Sequence, residues 1–153
     1  MSRPRFSIVI PARNRAHTLR YALHSCLAHQ FDDYEIIVCD NCSSPATREV
    51  AQSFNCSKIK YIRSDVPLAM SDNWELAVSQ ANGQFITVLG DDDALLRHAL
   101  TEASRLIEAF NVQAMRWNWV LYHWPDYPFA GSENRITFAP GGEARLVRSR
   151  DVM

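Results

Sequence analysis

Residues 6–27 read FSIVIPARNRAHTLRYALHSCL. Phe6 to Ile10 is an apolar, largely β-branched run closed by Pro11, the pattern of a buried strand. A polar turn, Pro11-Ala12-Arg13-Asn14, follows. From His17 to His29 the apolar positions Leu19, Ala22, Leu23, Cys26 and Leu27 then fall on one helix face. The same strand, turn and helix succession recurs downstream. Tyr34–Asp40 (YEIIVCD), Lys58–Arg63 (KIKYIR) and Gln84–Leu89 (QFITVL) read as further strands. Ser44 as N-cap with Pro45 at the first helical position predicts a helix to Phe54. Asp72 and Glu75 have capping-box spacing, which predicts a helix over Asp72–Ala81 punctuated by Gly83. After Asp93, the spacing of Leu95, Leu96, Ala99, Leu100, Ala103, Leu106, Ile107 and Phe110 predicts a longer helix. Strands alternating with helices imply right-handed crossovers, hence an α/β fold with a mainly parallel sheet flanked by helices on both faces.

The 153 residues are 47% apolar, enough for a real core and about right for one domain, which excludes a disordered chain. Sixteen Lys plus Arg against seventeen Asp plus Glu leave a net charge of −1, so no overall field draws the chain to nucleic acid or an anionic membrane. The only lysines are Lys58 and Lys60. The arginines that make up the other cations favour bidentate contacts to phosphate or carboxylate, although codon usage is an equal explanation of their number. The Phe6–Ile10 run is far short of the roughly 20 residues a membrane span needs, so a cytoplasmic chain without a transmembrane segment is expected. Cys39 and Cys42 have CxxC spacing, but no second pair follows at metal-ligand spacing. Reduced structural thiols are therefore expected for Cys26, Cys39, Cys42 and Cys56.

Parallel α/β sheets bind ligands beyond the carboxyl ends of their strands. There the chain places Pro11-Ala-Arg-Asn14, Asp40-Asn41, Arg63-Ser-Asp65 and Gly90-Asp-Asp-Asp93, four charged turns that should converge on one cleft. Adjacent carboxylates about 5 Å apart repel by roughly 3 kcal/mol per pair at an effective dielectric of about 20. The N-terminus of the helix expected after Asp93 would offset one or two of these charges. A hard divalent cation, Mg2+ or Mn2+, accounts for the whole cluster, because such ions bind through one or two carboxylates plus substrate phosphates. Other nucleotide folds are excluded by what is missing. The first glycine is Gly83, so there is neither a Gly-rich dinucleotide turn after the first strand nor a phosphate-binding P-loop. No lysine follows Lys60, against a receiver-type phospho-acceptor, and Ala94 after the triplet argues against an Asp-nucleophile phosphatase.

The succession FSIVIPARNRAHTLRYALHSCL, YEIIVCDNCSSPATREVA and MSDNWELAVSQANGQFITVLGDDDALL resembles the N-terminal, nucleotide-sugar-binding half of family 2 glycosyltransferases with the GT-A fold, over residues 6 to about 110. The resemblance implies that Pro11 and Arg13, with Asn14 beside them, line the base and diphosphate pocket. It implies that Asp40 hydrogen-bonds the nucleobase, that Asp65 and Asn73 close the donor site, and that Asp91 faces the ribose. Asp92, with Asp93 second, would hold Mn2+ or Mg2+. The partners implied are a nucleoside-diphosphate sugar, with the family leaning to uridine diphosphate, and a glycan, lipid-linked or other hydroxyl acceptor. The location implied is the cytoplasm or the inner face of the membrane.

The reaction expected from this likeness is inverting transfer by direct attack of the acceptor hydroxyl, with the metal stabilising the leaving diphosphate. Its general base would be a carboxylate. Asp126, Glu133, Glu143 and Asp151 are the remaining acids, none in a telling context. Residues 1–112 are expected to form the donor-binding core, and 113–153 the start of an acceptor-side region that is cut short. In that tail Met115, Trp117, Trp119 and Leu121 alternate as one face of a further core strand. Trp119 and Trp124 read as core aromatics before sugar-stacking ones. Residues 125–142 read as loop with a short strand at Arg135–Phe138. A non-catalytic nucleotide-sugar-binding fragment is the competing expectation.

Overall fold

Four strands, Phe6–Ala12 (β1), Tyr34–Asp40 (β2), Ile59–Arg63 (β3) and Phe85–Val88 (β4), pair in parallel in the order β3-β2-β1-β4. The computed structural model describes residues 3–117, 120–122 and 136–138. Between the strands run the helices Ala16–Leu27 (α1), Pro45–Ser53 (α2) and Met70–Ser79 (α3), and Ala99–Phe110 (α4) follows β4. Ile8, Ile10, Ile36 and Val38 pack against Leu19 and Leu23 of α1, Val50 of α2 and Leu100 and Ile107 of α4. On the opposite face Val9, Ile37 and Cys39 meet Ala77 of α3. Helices thus cover both faces, as expected. This is why β1 and β2 carry consecutive apolar residues instead of alternating ones.

Pro11 sits inside β1, on the side that faces β4. Val9 O accepts Leu89 N–H, so the odd-numbered residues of β1 turn their backbone towards β4. Pro11 lies beyond Val9, the last residue of β1 paired with β4, so the N–H it lacks falls past the end of that ladder.

Gly83 has a packing role. Ser7, fully buried on the α3 face, donates its hydroxyl to Glu35 Oε1 at 2.6 Å and accepts the Gly83 N–H at 2.8 Å. A Cβ at Gly83 would stand 2.5 Å from Ser7 N and 2.7 Å from Phe6 C, backbone atoms fixed in the sheet. Gly83→Ala is therefore expected to cost about 1–3 kcal/mol by overpacking. Urea denaturation reads this as a lowered midpoint, and an unchanged midpoint would contradict it.

Several expected boundaries are corrected. The capping box does not form. Helix α3 starts two residues earlier with Ala69 as N-cap and no side-chain cap bond, and it ends at Ser79, before Gly83. Asn41 clamps Leu68 on both sides, accepting its N–H at 2.7 Å and donating to its carbonyl at 3.0 Å, and so delivers the chain to that earlier start. Asp72 then lies in the first turn, where the positive helix end favours it. Ser44 is the N-cap of α2, but its hydroxyl makes no cap bond. Helix α4 begins at Ala99, not after Asp93, and Leu96 and Phe110 are exposed. Among the described residues of the expected 115–122 strand, Val120–Tyr122 (β5) is the strand. It pairs antiparallel with Ile136–Phe138 (β6) in a separate sheet, and Val120 and Leu121 are exposed, so it is not a core strand. Met115 does pack on the core, whereas Trp117 is about half exposed. Trp119, Trp124 and the acids Asp126, Glu133, Glu143 and Asp151 lie outside the described residues. Among the described residues no helix is long and apolar enough to cross a membrane.

Candidate functional site

The sheet register sets Ala12, Asp40 and Arg63 side by side at the carboxyl edge. Backbone bonds from Asn41 N to Ala12 O at 2.9 Å and from Ser64 N to Asp40 O at 3.0 Å carry the pairing into the turns. Asn14 adopts the left-handed region at φ 55°, which asparagine tolerates. Its N–H donates to Ser43 Oγ at 2.8 Å, and its Oδ1 accepts the Ser44 N–H at 3.1 Å. The turns after β1 and β2 are thereby bolted together. Cys42 is also left-handed, at φ 50°, where a side chain other than Asn or Asp costs about 1–2 kcal/mol.

Asp40 is fully buried at the centre of this network. Oδ1 accepts the Ser43 N–H at 2.9 Å; Oδ2 accepts the Tyr61 hydroxyl and Arg63 Nη1 at 3.3 Å. Val38 and Asp40 share a face of β2, and Tyr61 and Arg63 stand beside them on β3, so the period of two along both strands brings these groups together. Burial, then the hydrogen bond to Asp40, pushes the Tyr61 phenol above its ordinary range. Both oxygens of Asp40, the residue that the family likeness assigns to the nucleobase, are thus engaged within the chain.

The acidic turn lies at the end of β4. Asp91 is 7% exposed, and its Oδ2 accepts the Arg13 N–H at 3.3 Å. Arg15 Nη1 stands 3.3 Å from Asp91 Oδ1 and 2.6 Å from Asp92 Oδ2. Burial pushes the Asp91 carboxyl up, opposed by the Arg13 N–H and the Arg15 charge. The compensation expected from a following helix is absent, since eight residues separate Gly90 from the start of α4 at Ala99. A guanidinium 76 residues upstream supplies it instead.

The rest of that turn is anchored to the end of α1. Leu95 N–H donates to Ser25 Oγ at 3.1 Å, and His29 Nδ1 stands 3.0 Å from Arg97 O. His29 Nε2 is buried with no partner among the described residues. Burial lowers the His29 pKa from 6.5, against the Arg97 carbonyl and with the charge of His98. A histidine whose folded pKa is depressed contributes stability that is fully present above the unfolded value and is lost as pH falls towards the folded value. Acidification below about pH 6.5 is therefore expected to lower the Tm of the wild type more than that of His29→Gln. Parallel melting curves at pH 7.5 and 5.5 would contradict this.

Pro11, Arg13, Asn14, Asp40 and the triplet converge on one edge. Asp65 follows β3 at the same edge, and Asn73 lies on α3. Asp65 is exposed and engages through its carbonyl, which accepts the Cys42 thiol at 3.6 Å. Asn73 is buried under β2, donating to Cys39 O and accepting the Cys39 thiol, both at 3.4 Å. All four cysteines are free, and burial pushes the Cys39 thiol up to about 11. Two clefts of about 480 Å3 lie elsewhere, around Asn55 and Tyr61 and around Phe85 and Ile107.

Asp92 and Asp93 are exposed and fold back over Gly90, where a Cβ would stand 2.6 Å from Asp93 Oδ2 and 3.1 Å from Asp92 Oδ1. Two hard oxygen donors gathered over a glycine suit a divalent ion that completes its shell with phosphate and water. Among the described residues no group of three or more His, Cys, Asp or Glu is placed to hold an ion by itself. The fit is therefore to an ion shared with a phosphate ligand.

The sequence and the fold have known relatives. A 101-residue stretch is 37% identical to the GalNAc(5)-diNAcBac-PP-undecaprenol beta-1,3-glucosyltransferase of Campylobacter jejuni, covering 64% of this chain and 33% of that protein. Identity is 28% over 113 residues to the UDP-Glc:alpha-D-GlcNAc-diphosphoundecaprenol beta-1,3-glucosyltransferase WfgD of Escherichia coli, covering 74% and 45%. The chain thus spans between a third and a half of the length of these relatives. The fold superposes on S. aureus TarS with a TM-score of 0.67 and 22% identity, covering 77% of this chain and 34% of that one. It superposes on the Pyrobaculum calidifontis mannosyltransferase PcManGT, in complex with GDP-Man and Mn2+, with a TM-score of 0.62 and 15% identity, covering 81% and 36%. The architecture is that of GT-A glycosyltransferases. The description of glycosyl transferase family 2 matches residues 7–146, from the first strand past the acidic turn, and the chain belongs to that family.

Proposed function

We propose that the chain forms the donor-binding part of an inverting glycosyltransferase, which takes a sugar from a uridine diphosphate sugar and delivers it to the hydroxyl of a lipid-linked acceptor at a membrane surface. The observation that carries this reading is the pairing of Asp91 with the Arg13 N–H and of Asp91 and Asp92 with Arg15 at the carboxyl edge of a parallel sheet. The names of the relatives support the acceptor class, and TarS in complex with UDP-GlcNAc and with UDP supports the donor class.

In this reading the Arg13 and Arg15 guanidiniums flank the diphosphate and Asp91, held by the Arg13 N–H, accepts from a ribose hydroxyl. Asp92 and Asp93 hold Mn2+ or Mg2+. A bound ion supplies Lewis-acid stabilisation of the leaving diphosphate. The acceptor oxygen bonds to the anomeric carbon as the bond to diphosphate breaks on the opposite face, and the acceptor proton passes to a carboxylate base outside the described residues. Asp40 acts one step back, through Ser43 and Asn14, by fixing the turn that carries Arg13 and Arg15. Calorimetric titration of the chain with UDP, with and without Mn2+, tests the reading. Binding that strengthens with Mn2+ is expected, and no UDP binding in either condition would overturn it. Binding without any release of UDP from a UDP-sugar would favour a binding role without catalysis.

A further inference from the structure

Arg15 is the N-cap residue of α1, yet its side chain reaches over to the end of β4, where it is the one cation among the described residues paired with the acidic triplet. It takes Asp92 Oδ2 at 2.6 Å, the second oxygen of the carboxylate whose Oδ1 the donor-site reading gives to the metal, and it is about half exposed. A guanidinium and a divalent cation on the two oxygens of one carboxylate stand only a few ångströms apart and repel each other. Guanidinium groups also pair bidentately with phosphate as readily as with carboxylate.

Resting on that reading, we infer that Arg15 is an exchangeable counter-ion. In the free chain it occupies the acidic turn and opposes entry of a lone metal ion. When a nucleoside diphosphate arrives with its ion, Arg15 releases Asp92 to the metal and takes a phosphate oxygen. The exchange makes metal binding conditional on the donor, and by linkage donor binding conditional on the metal. It also accounts for an arginine at a position where an uncharged cap residue would serve α1 equally well.

The test uses Mn2+ alone, followed by the paramagnetic signal of the free ion, and UDP alone, followed by calorimetry, on wild type, Arg15→Gln and Arg15→Lys. Arg15→Gln is expected to bind Mn2+ alone about tenfold more tightly than wild type and UDP alone about tenfold more weakly. Opposite shifts in one variant are an outcome that simple structural damage does not produce. Arg15→Lys, which keeps the charge but not the fork, should fall between the two on both axes. Mn2+ affinity in Arg15→Gln equal to or below that of wild type overturns the inference, whatever UDP does. Failure of wild type to bind UDP with or without Mn2+ overturns the donor reading, while the Mn2+ comparison still decides whether Arg15 opposes the ion.

Discussion

Asp92→Asn is expected to weaken Mn2+-supported UDP binding about 100-fold, since loss of even an outer partner of a metal site costs 10–100-fold and a direct ligand stands at the upper end of that range. The thermal midpoint should move by no more than about 3 °C. The Asp92 side chain is about half exposed and its partner among the described residues is Arg15, itself half exposed, so the ion pair contributes at most about 1 kcal/mol. Metal-free UDP binding should be retained or slightly tightened, because Arg15 is freed. The neighbouring aspartates sharpen the result. Asp93→Asn touches an exposed carboxylate with no ion pair among the described residues and should weaken the Mn2+ effect less. Asp91→Asn disturbs a buried group held by the Arg13 N–H and should be read chiefly in stability. Mn2+-supported binding in Asp92→Asn equal to wild type would remove Asp92 from the metal site.

The parallel sheet was legible because its central strands β1 and β2 are buried on two faces and so appear as nearly unbroken apolar runs bounded by polar turns, while the edge strands β3 and β4 keep enough β-branched and aromatic residues to be read beside them. The position of the site was legible for the same reason, since charged residues directly after such runs must lie at the carboxyl edge. Local signals were weaker guides where a long-range bond overrode them. The Asp72 and Glu75 spacing is that of a capping box, but Asn41, on the turn after β2, sets the start of α3. The periodicity from Leu95 is helical, but Ser25 and His29 of the α1 end hold residues 95–97 in a turn. Tryptophans and β-branched residues near 115–122 signalled a strand without indicating which sheet it would join. Arg15 was missed as a site residue. Its partners lie 76 and 77 residues away, and only the β1–β4 register brings them within reach. The available signal was energetic: three adjacent carboxylates require a cation, and the chain offers two arginines in the first turn.

Asp40→Ala is expected to lose about 3–5 kcal/mol of stability, the range seen when one partner of a buried ionic network is removed. The carboxylate has no exposed surface and receives Ser43 N–H, the Tyr61 hydroxyl and Arg63. An alanine leaves these donors facing a cavity where no acceptor replaces it. At about 2–4 °C per kcal/mol for a chain of this size, the Tm should fall by roughly 6–20 °C. Asp40→Asn separates the positioning role from contact with the nucleobase. Its Oδ1 still accepts the Ser43 N–H, and the Tyr61 hydroxyl can turn to accept from Nδ2, so the turn carrying Ser43 and Asn14 keeps its shape while the charge beside Arg63 is lost. If Asp40 acts through that turn, Asp40→Asn should melt lower than wild type yet bind UDP within about twofold once compared at a temperature where both are folded, since a buried charge loss is read in stability and not in contact with ligand. If Asp40 instead releases Tyr61 to meet the base, UDP affinity should fall in Asp40→Asn by tenfold or more, because a site built to hydrogen-bond a polar group discriminates strongly when one partner is altered. Full burial and occupied oxygens favour the first outcome. The buried carboxylate then keeps Arg13 and Arg15 at the edge where the acidic turn needs them.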